Sequence, residues 1–154
     1  MAHVRARVEP EEAALARRIL SDGPVALFEG MPVADRRHGL DVAERLLRTG
    51  LDDRDVLSAA LLHDAAKGHR MRLWHRVSGV LLESLAPSVL ERLADPAASS
   101  WRHPFHLYLH HEPMSAELAV EAGCSPRVGA FIRRQVGEAD MQLLRALSKA
   151  DDAS

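Results

Sequence analysis

The chain has 154 residues, of which 47% are hydrophobic and only 4% aromatic, and its formal net charge is −2. Such a chain can bury one core as a single domain, and its near-neutral charge gives no electrostatic reason to expect a DNA or RNA polymer as partner. A single cysteine, Cys124, excludes an internal disulfide framework, and no apolar run approaches the roughly 20 residues that a membrane helix needs.

Abundant Leu and Ala with few aromatic and β-branched residues favour helices over sheets. The opening MAHVRARVEPEE has no apolar stretch of the secretory kind, so a cytoplasmic location is expected. Pro10-Glu11-Glu12 reads as a helix start, with proline and acids in the first turn. That helix should reach Ile19 or Leu20 and stop at Ser21-Asp22-Gly23. Pro24 can open a short helical turn through Phe28, ended by Gly30. From about Val33 to Arg48, Leu40, Ala43, Leu46 and Leu47 recur at helical spacing, and Gly50 closes that helix.

Asp52 or Asp53 should cap the next helix, which carries Val56, Leu57, Ala60, Leu61 and Asp64. It is apolar nearly all round and is therefore expected to be central, ending at Gly68. A further helix is expected over about Met71 to Leu85, then a short one over 87–94 after a break at Pro87. Residues 95–100 have loop composition, and 101–111 are ambiguous, although Pro104 suits a first turn. A helix is clear over about Ser115 to Ala122, stopped by Gly123. Ser125-Pro126 starts the next with a cap and a proline at its first position, and the last covers about Ala139 to Ala150. No repeat, low-complexity tract or strand alternation is evident. The expected fold is all-α, a compact bundle over residues 1–154.

Nine histidines in 154 residues raise the prospect of metal chemistry without locating it. The informative residues are polar ones that interrupt apolar helices. His63-Asp64 falls inside SAALLHDAAKG, where an unpaired imidazole or carboxylate would be costly to bury. Asp151 ends LLRALSKADD, and His38 opens HGLDVAERLL. Two imidazoles and two carboxylates form a mixed nitrogen–oxygen set suited to a borderline or hard divalent ion. Spacing alone leaves a hydrogen-bonded core histidine and a capping aspartate as alternatives, since neighbouring helical residues point about 100° apart.

Four segments together, DRRHGLDVAERLL, SAALLHDAAKG, HHEPMSAELAVEAG and LLRALSKADD, resemble the HD superfamily of metal-dependent phosphohydrolases. They stretch from residue 35 to residue 152. The resemblance rests on the order His, His-Asp, Asp in helical contexts, with a lysine three positions after the first Asp. It implies an all-helical HD-domain bundle in which His38, His63, Asp64 and Asp151 ligate the metal. It further implies hydrolysis of a phosphate ester, on a nucleotide or another small phosphorylated metabolite. The ion would activate a water and polarise the phosphoryl oxygen; Asp64 would orient or deprotonate that water.

Many HD proteins carry two further histidines and bind two metals. His111 matches the first by its distance from Ser115, in preference to His110. The second would fall near Gln135, whose neutral amide is a poor replacement for imidazole. One divalent ion is therefore expected, drawn from Mn, Fe, Co, Ni, Zn and Mg. HDAAKG also lacks the acidic residues that alarmone hydrolases and 5′-deoxynucleotidases of the superfamily carry, so neither substrate class transfers. The rival reading is a regulatory or ligand-binding module that keeps the metal and does little chemistry.

Lys67, one helical turn after His63, is expected on the same side as a phosphate contact, the alternative being a lysine that complements the helix dipole. His111 is either a substrate contact and proton donor or a histidine supporting the site. Arg37 and Arg36 before His38, and Arg133 and Arg134 before Gln135, are arginines of the kind that match phosphate oxygens. His69, His75, His103 and His106 match no family position. Leu73, Trp74, Val77, Leu81 and Leu82 read as core or as the face of a homodimer, and Cys124 falls in an interhelical turn.

Overall fold

The computed structural model describes residues 10–67, 87–93, 96–97 and 103–154. The fold is all-α, with no strand among the described residues. In chain order the helices are α1 (Pro10–Ile19), α2 (Asp22–Glu29), α3 (Val33–Arg48), α4 (Arg54–Leu62), α5 (Pro87–Leu93), α6 (His103–Glu121) and α7 (Pro126–Ile132). A 3-10 turn, Glu138–Asp140, then leads into α8 (Met141–Asp152). The helix expected over residues 71–85, and with it His69, His75 and the apolar set from Leu73 to Leu82, lies outside the described residues.

Local chemistry accounts for most of the boundaries. Asp53, rather than Asp52, caps α4: its side chain accepts from the backbone N–H groups of Asp55 and Val56. Ser125 caps α7 by accepting from the Val128 N–H, with Pro126 at the first helical position. Helix α2 begins two residues earlier than Pro24 suggests, because the Val25 N–H already bonds back to the Ser21 carbonyl.

Two expectations are corrected. The helix placed at Ser115–Ala122 is the second half of α6, which runs unbroken from His103 through Pro113. The polar run His110-His111-Glu112-Pro113 hides the helical period in the sequence. The central helix, expected to reach Gly68, ends at Leu62. Beyond it the Ala65 N–H bonds to the Leu62 carbonyl in a tighter turn, and the Ala66 N–H leaves the backbone ladder for the buried hydroxyl of Ser115 on α6. His63 through Lys67 therefore form a chain of turns.

Every residue of α4 from Val56 to Leu62 is buried, which makes this helix the centre of the bundle. Helices α3, α7 and α8 pack around it, with α6 against α7 and α1 across one end. Leu40, Leu61 and Leu62 are wholly inaccessible to solvent, and each such side chain contributes about 2 kcal/mol by burial. Gly39 lets α3 approach α4 closely at the level of the α4 C-terminus. No described helix is long and apolar enough to cross a membrane.

Candidate metal centre

Three polar features converge where α4 ends. His63 is the C-cap residue of α4, and Asp64 follows it in the turn that Ser115 anchors. His38 comes from α3, held beside His63 by the close helix contact at Gly39; the two imidazole centroids are 5.2 Å apart in an edge arrangement. His38, His63 and Asp64 each offer one ligand atom, all within 4.8 Å of one another, and could together hold a metal ion.

Asp151, in the last turn of α8, stands outside that mutual group but touches both imidazoles. Its Oδ1 is 2.9 Å from His38 Nε2 and 3.4 Å from His63 Nε2. In this arrangement the His38 ring N–H donates to Asp151. His111, on α6, places Nε2 3.9 Å from Asp64 Oδ1. The four ligands that the resemblance implies, together with His111, thus meet at one place from α3, the α4 terminus, α6 and α8.

The hydrogen bonding of His63 is asymmetric. Its Nδ1–H donates to the Ala60 carbonyl at 2.9 Å. That bond commits Nδ1 as a donor and leaves Nε2 turned toward Asp64 and Asp151, so that Nε2 is the nitrogen a metal would take in place of a proton. Asp64 is 2% exposed, and its buried Oδ1 accepts no backbone or hydroxyl hydrogen bond. Lys67 Nζ, 2.5 Å away, pairs with that oxygen. A buried carboxylate oxygen beside two imidazole nitrogens, compensated by the Lys67 ammonium, is an arrangement that a metal cation could complete.

The electrostatics of the metal-free cluster run the same way. Burial pushes the His63 imidazole toward the neutral form, but the hydrogen bond that its ring N–H donates to Asp151 and the charges of Asp64 and Asp151 outweigh it and raise its pKa. The Asp151 carboxyl is held far below the usual range, first by His38 and then by His63. Burial would raise the Asp64 carboxyl, yet His63, Lys67 and His111 together hold it below its ordinary value. The cluster gathers the negative charge of Asp64 and Asp151 in a partly enclosed space, beside Lys67 and Arg134.

Other expected residues fall elsewhere. Lys67 does not stand one helical turn above His63, because the helix has already ended; it reaches Asp64 across the turn instead. Arg37 pairs with Asp41 along α3 at 3.3 Å, half-exposed. Arg36 faces away from the cluster and lines a cavity with Ala13, Ala16, Arg17, Val25, Phe28 and Glu29. Gln135 is exposed. The neighbouring Arg134, not Gln135, reaches the cluster, with Nη2 3.1 Å from Asp151 Oδ2. The Arg133 side chain makes no ion pair or hydrogen bond among the described residues, and its backbone N–H bonds to the Gly129 carbonyl. The side chains of His103, His106 and His110 lie outside those described.

Glu112, Ser115 and Ser148 were not legible as site residues. Ser115 anchors the Asp64 turn, while Glu112 and Ser148 hold Arg134. Beneath Arg134 a cavity of about 20 Å³, lined by His63, Glu112, Ser148 and Asp151 over Phe131, Ile132, Leu144 and Leu147, has room for about one water.

No family model, curated protein or solved structure matches the chain.

Proposed function

We propose that the chain is a metal-dependent phosphohydrolase of the HD type, acting on a nucleotide or another small phosphorylated metabolite. One divalent ion would be held by His38, His63, Asp64 and Asp151. The observation that carries the reading is the buried Oδ1 of Asp64, paired with Lys67 but with no backbone or hydroxyl donor, beside the His63 imidazole, whose other nitrogen is committed to the Ala60 carbonyl. A divalent ion there supplies Lewis acidity toward a phosphoryl oxygen and lowers the pKa of water.

The chain's own residues supply the rest. Asp64 orients the attacking water through its carboxylate. Lys67, already next to Asp64, neutralises charge that grows on the phosphoryl oxygens. His111, 3.9 Å from the same carboxylate, holds a proton for the departing oxygen. Arg37, half-exposed on α3, would meet the remainder of the substrate. His38 keeps about a third of its side chain exposed, and substrate would enter there.

Metal analysis of protein purified without chelator, followed by a screen of nucleotides and sugar phosphates with several divalent ions, tests this. About one ion per chain and metal-dependent release of phosphate support it. Protein that binds a nucleotide tightly yet hydrolyses no phosphate ester would favour the regulatory module instead. Protein without bound metal, and unaffected by added metal, would overturn both.

A further inference from the structure

Three helices of the bundle end in the same backbone pattern, in which two N–H groups fold back onto the last-turn carbonyls around one left-handed residue. At the end of α3 that residue is Gly50, φ +84°, and at the end of α6 it is Gly123, φ +113°. At the end of α7 it is Arg134, φ +57°. There the Arg134 N–H bonds to the Phe131 carbonyl at 3.0 Å and the Gln135 N–H to the Ala130 carbonyl at 2.9 Å. Glycine takes this conformation without strain, whereas an arginine brings its Cβ against a backbone carbonyl. The chain tolerates strain here that it avoids at the two equivalent ends.

The Arg134 side chain is spread in three directions. Nε donates to Glu112 Oε1 at 2.9 Å, Nη1 to Ser148 Oγ at 3.4 Å, and Nη2 to Asp151 Oδ2 at 3.1 Å. The guanidinium fork thereby links α6, α7 and α8 around one carboxylate. With 44% of that side chain exposed, these ion pairs are screened and add little to stability. Stability alone gives no reason for an arginine in this conformation. The geometry of Asp151 does: Arg134 occupies Oδ2, and Oδ1 alone faces His38 and His63.

We infer, resting on the metal reading above, that Arg134 is a positioning residue for the metal centre. It makes Asp151 a one-oxygen ligand and holds Oδ1 toward the two imidazoles. The opposite electrostatic effect makes this falsifiable. A positive charge beside a cation site weakens cation binding, so removing Arg134 would tighten binding if charge were its only role. A positioning role predicts the reverse sign.

The test uses Co²⁺ titrated into the metal-free full chain against a competing chelator, with thermal melting of the metal-free protein alongside. R134G, which relieves the backbone, is expected to melt no lower than wild type without metal. Its Co²⁺ affinity should nevertheless fall by about 10- to 100-fold, the usual effect of losing a group that orients a ligand. R134N also tolerates a left-handed backbone and lacks the guanidinium, so it should show the same loss of affinity. Either variant binding Co²⁺ as tightly as wild type, or more tightly, would overturn the inference. So would a loss of affinity matched by a lower metal-free melting point in both variants, which marks a purely structural role. Wild type that fails to bind Co²⁺ overturns the metal reading itself, an outcome distinct from the others.

Discussion

Gly39 on α3 lies so close to Leu61 on α4 that a Cβ at position 39 would stand 2.9 Å from the Leu61 carbonyl oxygen. It would also stand 3.1 Å from the Ala60 carbonyl oxygen, which accepts the His63 Nδ1–H. The contact that brings His38 beside His63 is therefore a contact between backbones, with no flexible side chain to yield.

Gly39→Ala should consequently push α3 and α4 apart. The expected cost is about 1–3 kcal/mol, the usual penalty of overpacking a filled interior. Metal affinity should fall with it, because the His38–His63 spacing and the His63–Ala60 bond both move. Urea unfolding and metal titration check the two effects; a variant that kept both stability and affinity would show that the helices can slide without disturbing the site.

Stripping the ion should lower the melting temperature, since a ligand that binds only the folded chain stabilises it by mass action, about 2.7 kcal/mol at 100 times its dissociation constant. Calorimetry before and after chelation, with metal loss confirmed by elemental analysis, provides the measurement. An unchanged transition would count against a metal at this cluster.

Lys67→Ala separates two effects. In the metal-free chain it removes the only lysine beside a buried carboxylate, so that form should lose about 1–3 kcal/mol. Saturating metal should recover much of this loss, because the ion replaces the missing positive charge. Turnover, if the chain is a phosphohydrolase, should drop sharply with metal retained, while Asp64→Ala should lose metal and turnover together. An Asp64→Ala variant as active as wild type would mean that the site lies elsewhere.

The acid side of the stability profile should be set partly by Arg127. Its guanidinium bonds Asp53 and Asp140, approaches Asp55 at 3.2 Å and stacks over Phe131. Those hydrogen bonds are the largest cause holding the Asp53 and Asp140 carboxyls below their ordinary value of 3.8. A carboxyl with a depressed folded-state pKa adds stability that is present above its unfolded pKa and lost as pH falls through the folded one. The contribution should thus hold at neutral pH, begin to fall at about pH 4, and vanish only as pH drops through the lower folded-state values. Arg127→Met should cost about 1 kcal/mol at pH 7, discounted for the exposed third of the side chain. The gap from wild type should close in acid; a gap independent of pH would assign the effect to packing on Phe131.

Much of the fold was legible because its punctuation is local. Asp53, Ser125-Pro126, Gly50 and Gly123 act within a few residues of themselves, and α3 and the centrality of α4 followed from periodicity. The end of α4 was not legible, because the group that draws away the Ala66 N–H is Ser115, 49 residues on. Helix α6 was obscured by Pro113, which the helix simply accommodates. In the candidate site, His38, His63, Asp64, His111 and Asp151 were each identifiable as interruptions of apolar helices or by resemblance. Arg134 was identifiable only as one of several arginines. Its left-handed backbone and its bond to Asp151 depend on where α8 docks, which no short window of sequence contains.

The His38–Asp151 contact joins residues 113 positions apart. A link between them closes most of the chain into a ring, and an ion held there would act as a removable staple across it. In loop-entropy terms, closing a loop of about 100 residues removes close to 5 kcal/mol of disorder from the unfolded chain. The same link makes α8 the hatch of the site: a fluctuation that lifts only the last helix would open the centre while α3 and α4 stayed packed, and ion exchange would then follow the rate at which that one helix detaches.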